Sequence, residues 1–598
     1  MVQTQTAPFG HWKSPLTAEG LATNSIMLNE VAVNESTGAI YSVECRPVED
    51  GRAAIVEHRQ NGQSKDVLPK DLSAFATVQE MGGGSIAMRP DGKLLLSDEK
   101  SCNIYLLDPE SSQATLVRPA EKGIRYADFS THPTNPRWVI AIKEDHREAT
   151  PETQATHVHN TLVAIDLELD PQDPNKEITI ARGDDFYSHP KFDPSGSDKT
   201  GFWQLYSYDP ANSQTRVFKF HGLEHSDFAI AEWHVGECTF VSLDDKTIVA
   251  TVITHATSKI VLVDTAACSA QELDLPYVDV DSITRVSATS FVVVGSSKTS
   301  PQELALVTFT PSFEVTRKIL TSTASFELAP EFVSTAAEYT APQKYGPLTD
   351  GEVYMFYFAP RNPDYQAEQG ALPPLLTYVH GGPNGAVTPA LSLDIQYWTT
   401  RGFAVCAVNY TGSVAFGREY RERLSGYWGL VDVGDAVSAV EFLADKGLID
   451  RTRVGIYGGS AGGYLTLRAL HMFPETWAAG ISSYGISDVK ALQADSYKFE
   501  SQDVDRLLLC KTKPEDREAE LKDRSPCYFA EQMKAPLLML QGTEDMIVPI
   551  AQARMMAEAM HSKGRVAEVV EFEGSDEAEY GGPSGGRSLY HICQCPDI

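Results

Sequence analysis

A serine with glycines at minus two and plus two stands in Gly458-Gly459-Ser460-Ala461-Gly462-Gly463. Before it runs a short apolar stretch, Val454 to Tyr457, and after it a stretch of helical character, Tyr464 to His471. This is the nucleophile-elbow pattern, in which the serine sits on a tight strand-to-helix turn that only small neighbours tolerate. The turn lifts the hydroxyl above the sheet and places the next N–H, that of Ala461, at a helix start where it can donate to an oxyanion. The chemistry on offer is nucleophilic acyl transfer. The alternative is an ordinary Gly-rich turn, and the strand before and helix after tell against it.

Two further stretches carry groups such a serine needs. His380-Gly381-Gly382-Pro383 directly follows an apolar strand pattern, Pro374 to Val379. Backbone N–H groups of Gly381 or Gly382 would there supply the second oxyanion donor. His380 itself reads as structural rather than as a general base. Pro536 to Gln541 reads as a later strand, ending in Gly542 and followed by Glu544 and Asp545. A carboxylate beyond a strand's C-terminal edge stands where parallel sheets collect catalytic groups, and the order Ser then Asp suits the acid of a triad. Asp545 would orient an imidazole and stabilise the imidazolium; Glu544, the competing carboxylate, reads as a solvated loop charge.

The elements that must position these residues form two textures. From about 30 to 335 short alternating apolar runs are broken by Gly, Asp, Pro and Asn. One unit recurs, an apolar strand ending in Asp: Ile104 to Asp108, Leu162 to Asp166, Leu205 to Asp209 and Ile260 to Asp264, with weaker copies at Ile55 to Glu57 and Leu304 to Val307. The terminal Asp residues are 58, 43 and 55 positions apart, against roughly 40–50 for a four-stranded propeller blade. A β-propeller is therefore expected over 1–335, with an irregular β-sandwich as the alternative. The short interval marks one blade as incomplete, because Lys191 to Gly196 runs almost directly into Gly201 to Tyr206 with a strand and its loop missing between Gly196 and Leu205. From 336 to 598 strands alternate with helices, including an amphipathic helix expected from Val433 to Lys446. That alternation predicts a parallel sheet with helices on both faces, the α/β-hydrolase arrangement.

Composition bounds the function. A formal charge of −31 over 598 residues argues against nucleic acid or an anionic membrane as the main partner. No stretch has secretory or membrane-spanning apolar length. The nine cysteines show neither a disulfide framework nor zinc spacing. A cytosolic enzyme without cofactor or metal is the simplest reading.

Taken together, Gly458 to Tyr464, His380 to Pro383 and Asp545-Met546-Ile547-Val548-Pro549 resemble the prolyl oligopeptidase family of serine peptidases, nearest its acylaminoacyl-peptidase and dipeptidyl-peptidase branch. So do Asn409 to Ser413, Phe416 to Tyr420, Trp428-Gly429 and Asp432-Val433. Gly10 to Leu16 extend the resemblance more weakly into the first half. It implies a propeller capping a hydrolase domain that cleaves short peptides, with an apolar pocket formed by Tyr464, Val548 and the neighbourhood of Trp428.

The chain departs from that family in its tail and its oxyanion site. Relatives follow the last strand, here Val566 to Phe572, with a Gly-His-Gly turn; here Glu577 stands where the His is expected, in a tail atypical from about 575. His591 is the only histidine downstream of His561. It is the candidate base, set against the reading of a tail residue without a role. Phe416 stands where many relatives place an oxyanion-donating Tyr. A donor lost without replacement costs about 3–4 kcal/mol, so Ala461 with Gly381 or Gly382 must suffice. Three functions fit: a peptidase of amino- or oligopeptidase type, a catalytically impaired relative acting as a binding or scaffold protein, and an esterase or peptide-processing biosynthetic hydrolase.

Overall fold

The computed structural model describes residues 4–23, 26–59, 62–132, 134–150, 153–187, 196–209, 212, 214–229, 233, 235–323, 328–545 and 547–573. Among the described residues six antiparallel sheets follow one another over 27–66, 86–118, 124–182, 196–217, 240–272 and 277–322, each with its strands in chain order. Apolar seams join neighbouring sheets. Ile55 and Leu94 share a cluster between the first and second, and Ile104 and Val139 one between the second and third. Leu205 and Ile248 share a cluster between the fourth and fifth, and Ile260 and Phe291 one between the fifth and sixth. Val292 and Val294 of the sixth sheet pack on Leu28 and Ile40 of the first.

The recurring Asp-terminated unit is the third strand in each of five sheets: Ile104–Asp108, His159–Asp166, Thr257–Asp264 and, in its weaker copies, Ala53–His58 and Glu303–Phe309. The Asp has a local job. Asp108 Oδ1 accepts the N–H groups of Glu110 and Ser111, and Asp264 Oδ1 those of Ala266 and Ala267. A short carboxylate thus folds the turn into the outermost strand by satisfying backbone donors, which is why the residue type repeats.

The fourth sheet differs. Among the described residues it has three strands, Gly196–Ser197, Gln204–Asp209 and Gln214–Val217, and Gly196 pairs directly with Leu205. The missing strand expected between those residues is thus replaced by a tight connection, 198–203. That connection reaches the C-terminal half: Asp198 pairs with Arg421 at 2.6 Å and with Arg418, and the Arg418 N–H donates to Gly201 O.

The C-terminal half is built on one eight-stranded sheet. Its strands are β1 (Ala337–Pro342), β2 (Glu352–Phe358), β3 (Leu375–Val379), β4 (Ala404–Asn409), β5 (Val454–Gly459), β6 (Ala479–Ser483), β7 (Leu537–Gly542) and β8 (Ala567–Phe572). Their spatial order is β1-β2-β4-β3-β5-β6-β7-β8, antiparallel at β1, β2 and β4 and parallel beyond. Helices α1 (Val431–Asp445), α2 (Ala461–Met472) and α3 (Ala551–Ser562) bury Val437, Leu465 and Met556 against one face with Val379, Val408 and Ile456. Phe358, Val405 and Ile395 cover the other.

The sequence predicts an amphipathic helix where α1 lies, but α1 is buried nearly all round. Its polar residues are spent on neighbours: Asp435 accepts the Thr411 N–H at 2.7 Å and Gln343 Nε2 at 2.8 Å. Residues 4–23 precede the first sheet and pack on the C-terminal half. Gln5–Thr6 pair with Tyr365–Gln366, and Leu16 and Leu21 pack on Tyr397.

Candidate active site

β5 ends at Gly459 and α2 begins at Ala461, so Ser460 alone makes the turn, with φ 54° and ψ −122°. A side-chain-bearing residue in so sparse a region costs about 1–3 kcal/mol and is kept only where its surroundings enforce it. Here they do. A Cβ on Gly462 would stand 2.2 Å from the Val379 carbonyl, and one on Gly458 2.4 Å from the same oxygen. The two glycines let the turn close against the end of β3. Ser460 N–H is held by Ser483 O at 3.0 Å, which locks the elbow to β6.

The loop after β3 runs beside the serine. A Cβ on Gly381 would lie 3.5 Å from Ser460 Cβ. The N–H groups of Gly381, Gly382 and Ala461 meet no acceptor among the described residues, so they stand available beside the hydroxyl. His380 shapes this loop. It is buried, stacks on Tyr410 at 4.2 Å, donates from Nδ1 to Gly381 O at 2.8 Å and meets Ser413 Oγ through Nε2 at 2.7 Å. Burial depresses its pKa to about 4. Phe416 lies in an aromatic stack with Tyr354 and His255.

The loop after β7 presents Asp545, 5% exposed, whereas Glu544 is exposed. Asp545 Oδ1 accepts the N–H groups of Ile547 and Val548 at 3.0 and 2.8 Å, and Oδ2 accepts Gln541 Nε2 at 3.0 Å. The same Gln541 amide ties to Val548 O at 2.8 Å, so the carboxylate is fixed to the end of its own strand.

A pocket opens at Ser460, lined among others by Gly382, Trp428, Ala461, Val504 and Val548. Tyr464 is not on its wall. It is wholly buried behind Trp428, ring centroids 4.7 Å apart, and its hydroxyl donates to Arg524 O. Two charged wall residues went unread in the sequence: Glu500 and Asp503. They lie between β6 and β7 in a stretch without a motif, where a charged pair reads as ordinary surface; only the fold brings them to Ser460.

The C-terminal half holds four histidines, His380, His471, His561 and His591. His380 is committed to its loop. His471 is buried against Arg468 and Phe529, its pKa pushed down to about 3 chiefly by burial. His561 is exposed on α3 and donates to Ala567 O. Glu577 and His591 lie outside the described residues.

A profile of the prolyl oligopeptidase family, Peptidase S9, matches residues 389–581. Dipeptidyl peptidase family member 6 of Caenorhabditis elegans is 33% identical over 193 residues, 32% of this chain and 26% of that protein. The acylamino-acid-releasing enzyme of Arabidopsis thaliana is 28% identical over 220 residues, 34% of this chain and 27% of that protein. These matches span about a quarter of the curated relatives' own length. Among solved structures, a Mycobacterium tuberculosis puromycin-hydrolyzing peptidase aligns over 98% of this chain and 96% of its own, with TM-score 0.88 and 26% identity. Ser460 and Asp545 both fall inside the matched profile, and that part of the chain belongs to the prolyl oligopeptidase family.

Proposed function

We propose that the chain is a serine hydrolase that cleaves short peptides through an acyl-enzyme on Ser460, beneath a β-propeller cap formed by the six N-terminal sheets. The strained elbow carries this reading: the φ of Ser460 is held at 54° with unspent N–H groups of Gly381, Gly382 and Ala461 beside it. Ser460 Oγ attacks the scissile carbonyl, and the developing oxyanion takes hydrogen bonds from Ala461 and the Gly381–Gly382 loop. His591, oriented by Asp545, accepts the hydroxyl proton and passes it to the leaving amine. Water then attacks the acyl-enzyme by the same route in reverse. Val548 and Trp428 form the apolar wall of the substrate pocket, with Tyr464 supporting Trp428.

The other histidines of this half are otherwise engaged, which favours His591 as the base. Glu577, standing where the family resemblance expects His, favours a second reading: an impaired relative that binds peptides without turning them over. A fluorophosphonate probe separates the two. Labelling of the wild type that Ser460→Ala abolishes and His591→Ala cuts by several orders of magnitude supports the triad. Wild type labelling no faster than Ser460→Ala leaves the binding protein.

A further inference from the structure

The connection 198–203 that shortens the fourth sheet reaches further than its two arginine partners. Gly417, one residue before Arg418, has φ 81°, and a Cβ on it would stand 2.7 Å from the Phe202 ring and 3.2 Å from Gly201 O. The connection is therefore seated directly on the 416–421 turn. Asp227, 2% exposed, joins the same place. Its main chain exchanges hydrogen bonds with Ile253 of the fifth sheet at 2.9 and 2.8 Å. Its carboxylate accepts the Trp203 N–H at 2.8 Å and has the Gly417 N–H as a second backbone donor. Two residues beyond Ile253, the tight turn of the fifth sheet lays His255 on Phe416, ring centroids 5.7 Å apart and planes 14° apart, with Tyr354 stacked on the same Phe416 at 4.6 Å. Phe416, which cannot donate to an oxyanion, is thus spent as an anchor between the two halves.

The other side of this turn carries the loop of Gly381 and Gly382. The Val414 N–H donates to Gly385 O at 3.0 Å, Asn384 Nδ2 donates to Gly412 O at 2.7 Å, and Ser413 Oγ meets His380 Nε2 at 2.7 Å. Ala415 stands between these bonds and Phe416 with φ 68°, a conformation a side-chain-bearing residue keeps only where its surroundings enforce it. A continuous run of contacts leads from Asp227 and His255 through 412–417 to the glycines beside Ser460.

We propose that Asp227 and His255 of the N-terminal half are positioning residues for the reaction at Ser460. By holding Gly417 and Phe416 they fix the 412–417 segment, and through it the Gly381 and Gly382 N–H groups, where the oxyanion forms. The proposal rests on reading those N–H groups as the oxyanion site. Donors aimed at a developing charge act only as well as they are held, and a misplacement of about 1 Å, even from a distant change, can cost about a hundredfold. The loop lies beyond the end of β3, so its support has to come from outside its own strand.

Two measurements on the full chain test this. Hydrogen–deuterium exchange reads the positioning without turnover: Asp227→Ala should speed exchange of the 409–417 peptide, whose Val414 N–H is bound to Gly385 O, by about tenfold. Saturation kinetics with a fluorophosphonate read the consequence. The same variant should lower the rate constant of the covalent step by about tenfold and the reversible affinity by less than about threefold, because the loop donors strengthen only as charge develops. His255→Ala should show the same pattern at about threefold, and it decides the matter if Asp227→Ala does not fold. Val43→Ala, a loss of core in the cluster between the first and second sheets, is the control and should leave both readouts unchanged. Exchange and covalent rate unmoved in Asp227→Ala and His255→Ala overturn the proposal, and so does an equal response in Val43→Ala, which would make the effect one of stability alone. A wild type whose Ser460 resists the probe, while exchange still answers to Asp227→Ala, sinks the hydrolase reading and keeps the positioning of the loop; the reverse result does the opposite.

Discussion

Asp545 and Glu500 are both carboxyl groups of the C-terminal half, the first buried and the second half-buried, and the protein treats them in opposite ways. Asp545 accepts hydrogen bonds from the Ile547 and Val548 N–H groups and from Gln541. Donors of that kind replace the lost hydration. Glu500 receives burial and a like-charged neighbour, and its proton is held up to about pH 8. One charge is completed by the protein and serves as a fixed part. The other is left without such donors and keeps its proton instead.

The contrast breaks most visibly if the fixed carboxylate is dispensable. Asp545→Asn keeps the shape but puts an amide where the imidazole should be oriented, and a triad so altered loses about 10⁴-fold in kcat. It also sets two NH₂ groups face to face at Gln541, which cannot rotate away without giving up its bond to Val548 O. A stability loss of about 1–2 kcal/mol should accompany the kinetic one. Single-turnover acylation with a p-nitrophenyl ester reads the first and urea unfolding the second. A kcat within tenfold of wild type would remove Asp545 from the triad.

How much of this contrast the sequence discloses follows from what makes each residue legible. Ser460, Gly381, Gly382 and Asp545 sit at strand ends, where local sterics dictate neighbours: Gly458 and Gly462 must be glycine because Val379 O leaves no room for a Cβ. Constraint by contact writes a motif, and motifs can be read. The Asp-terminated strands of the first half are legible for the same reason, each Asp folding its own turn. Glu500 and Asp503 obey no local rule. Their meaning comes from the distant Ser460 and from Arg506 bridging to Asn384. Tyr464 misleads in the complementary way: it adjoins the motif, yet helix geometry turns it behind Trp428 rather than into the pocket. The burial of α1 was illegible too, because Asp432, Asp435 and Ser438 look like a solvated face until β1, β2 and the 343–345 turn cover them.

The second carboxyl's behaviour sharpens the comparison through pH. Its folded pKa, about 8, lies above the ordinary 4.5. The folded chain therefore holds a proton that the unfolded chain releases between those values, so Glu500 contributes stability below pH 4.5 that is lost as pH rises towards 8. Glu500→Gln should flatten the stability profile between about pH 5 and 8. Urea unfolding across that range checks it, and a wild-type stability independent of pH there would mean that the fold does not hold the Glu500 proton.

The smallest expected effect concerns how the second carboxyl is held in place. The segment carrying Glu500 is gripped by the N-terminal half: Lys498 Nζ donates to Asn160 Oδ1 at 2.9 Å and Asp185 O at 2.6 Å, over the Phe186 ring. Phe499 packs edge-on against Phe186 and Trp233, ring centroids 5.4 and 5.7 Å apart. Asp545 needs no such grip, being bonded to its own strand. Lys498→Ala should therefore cost about 1–2 kcal/mol of stability, while the rate of fluorophosphonate labelling at Ser460 changes less than twofold. Urea unfolding and labelling on the same preparation check both halves. A labelling rate that falls with the stability would mean that the pocket wall depends on Lys498 for its shape, and not on Arg506 and Asn384 alone.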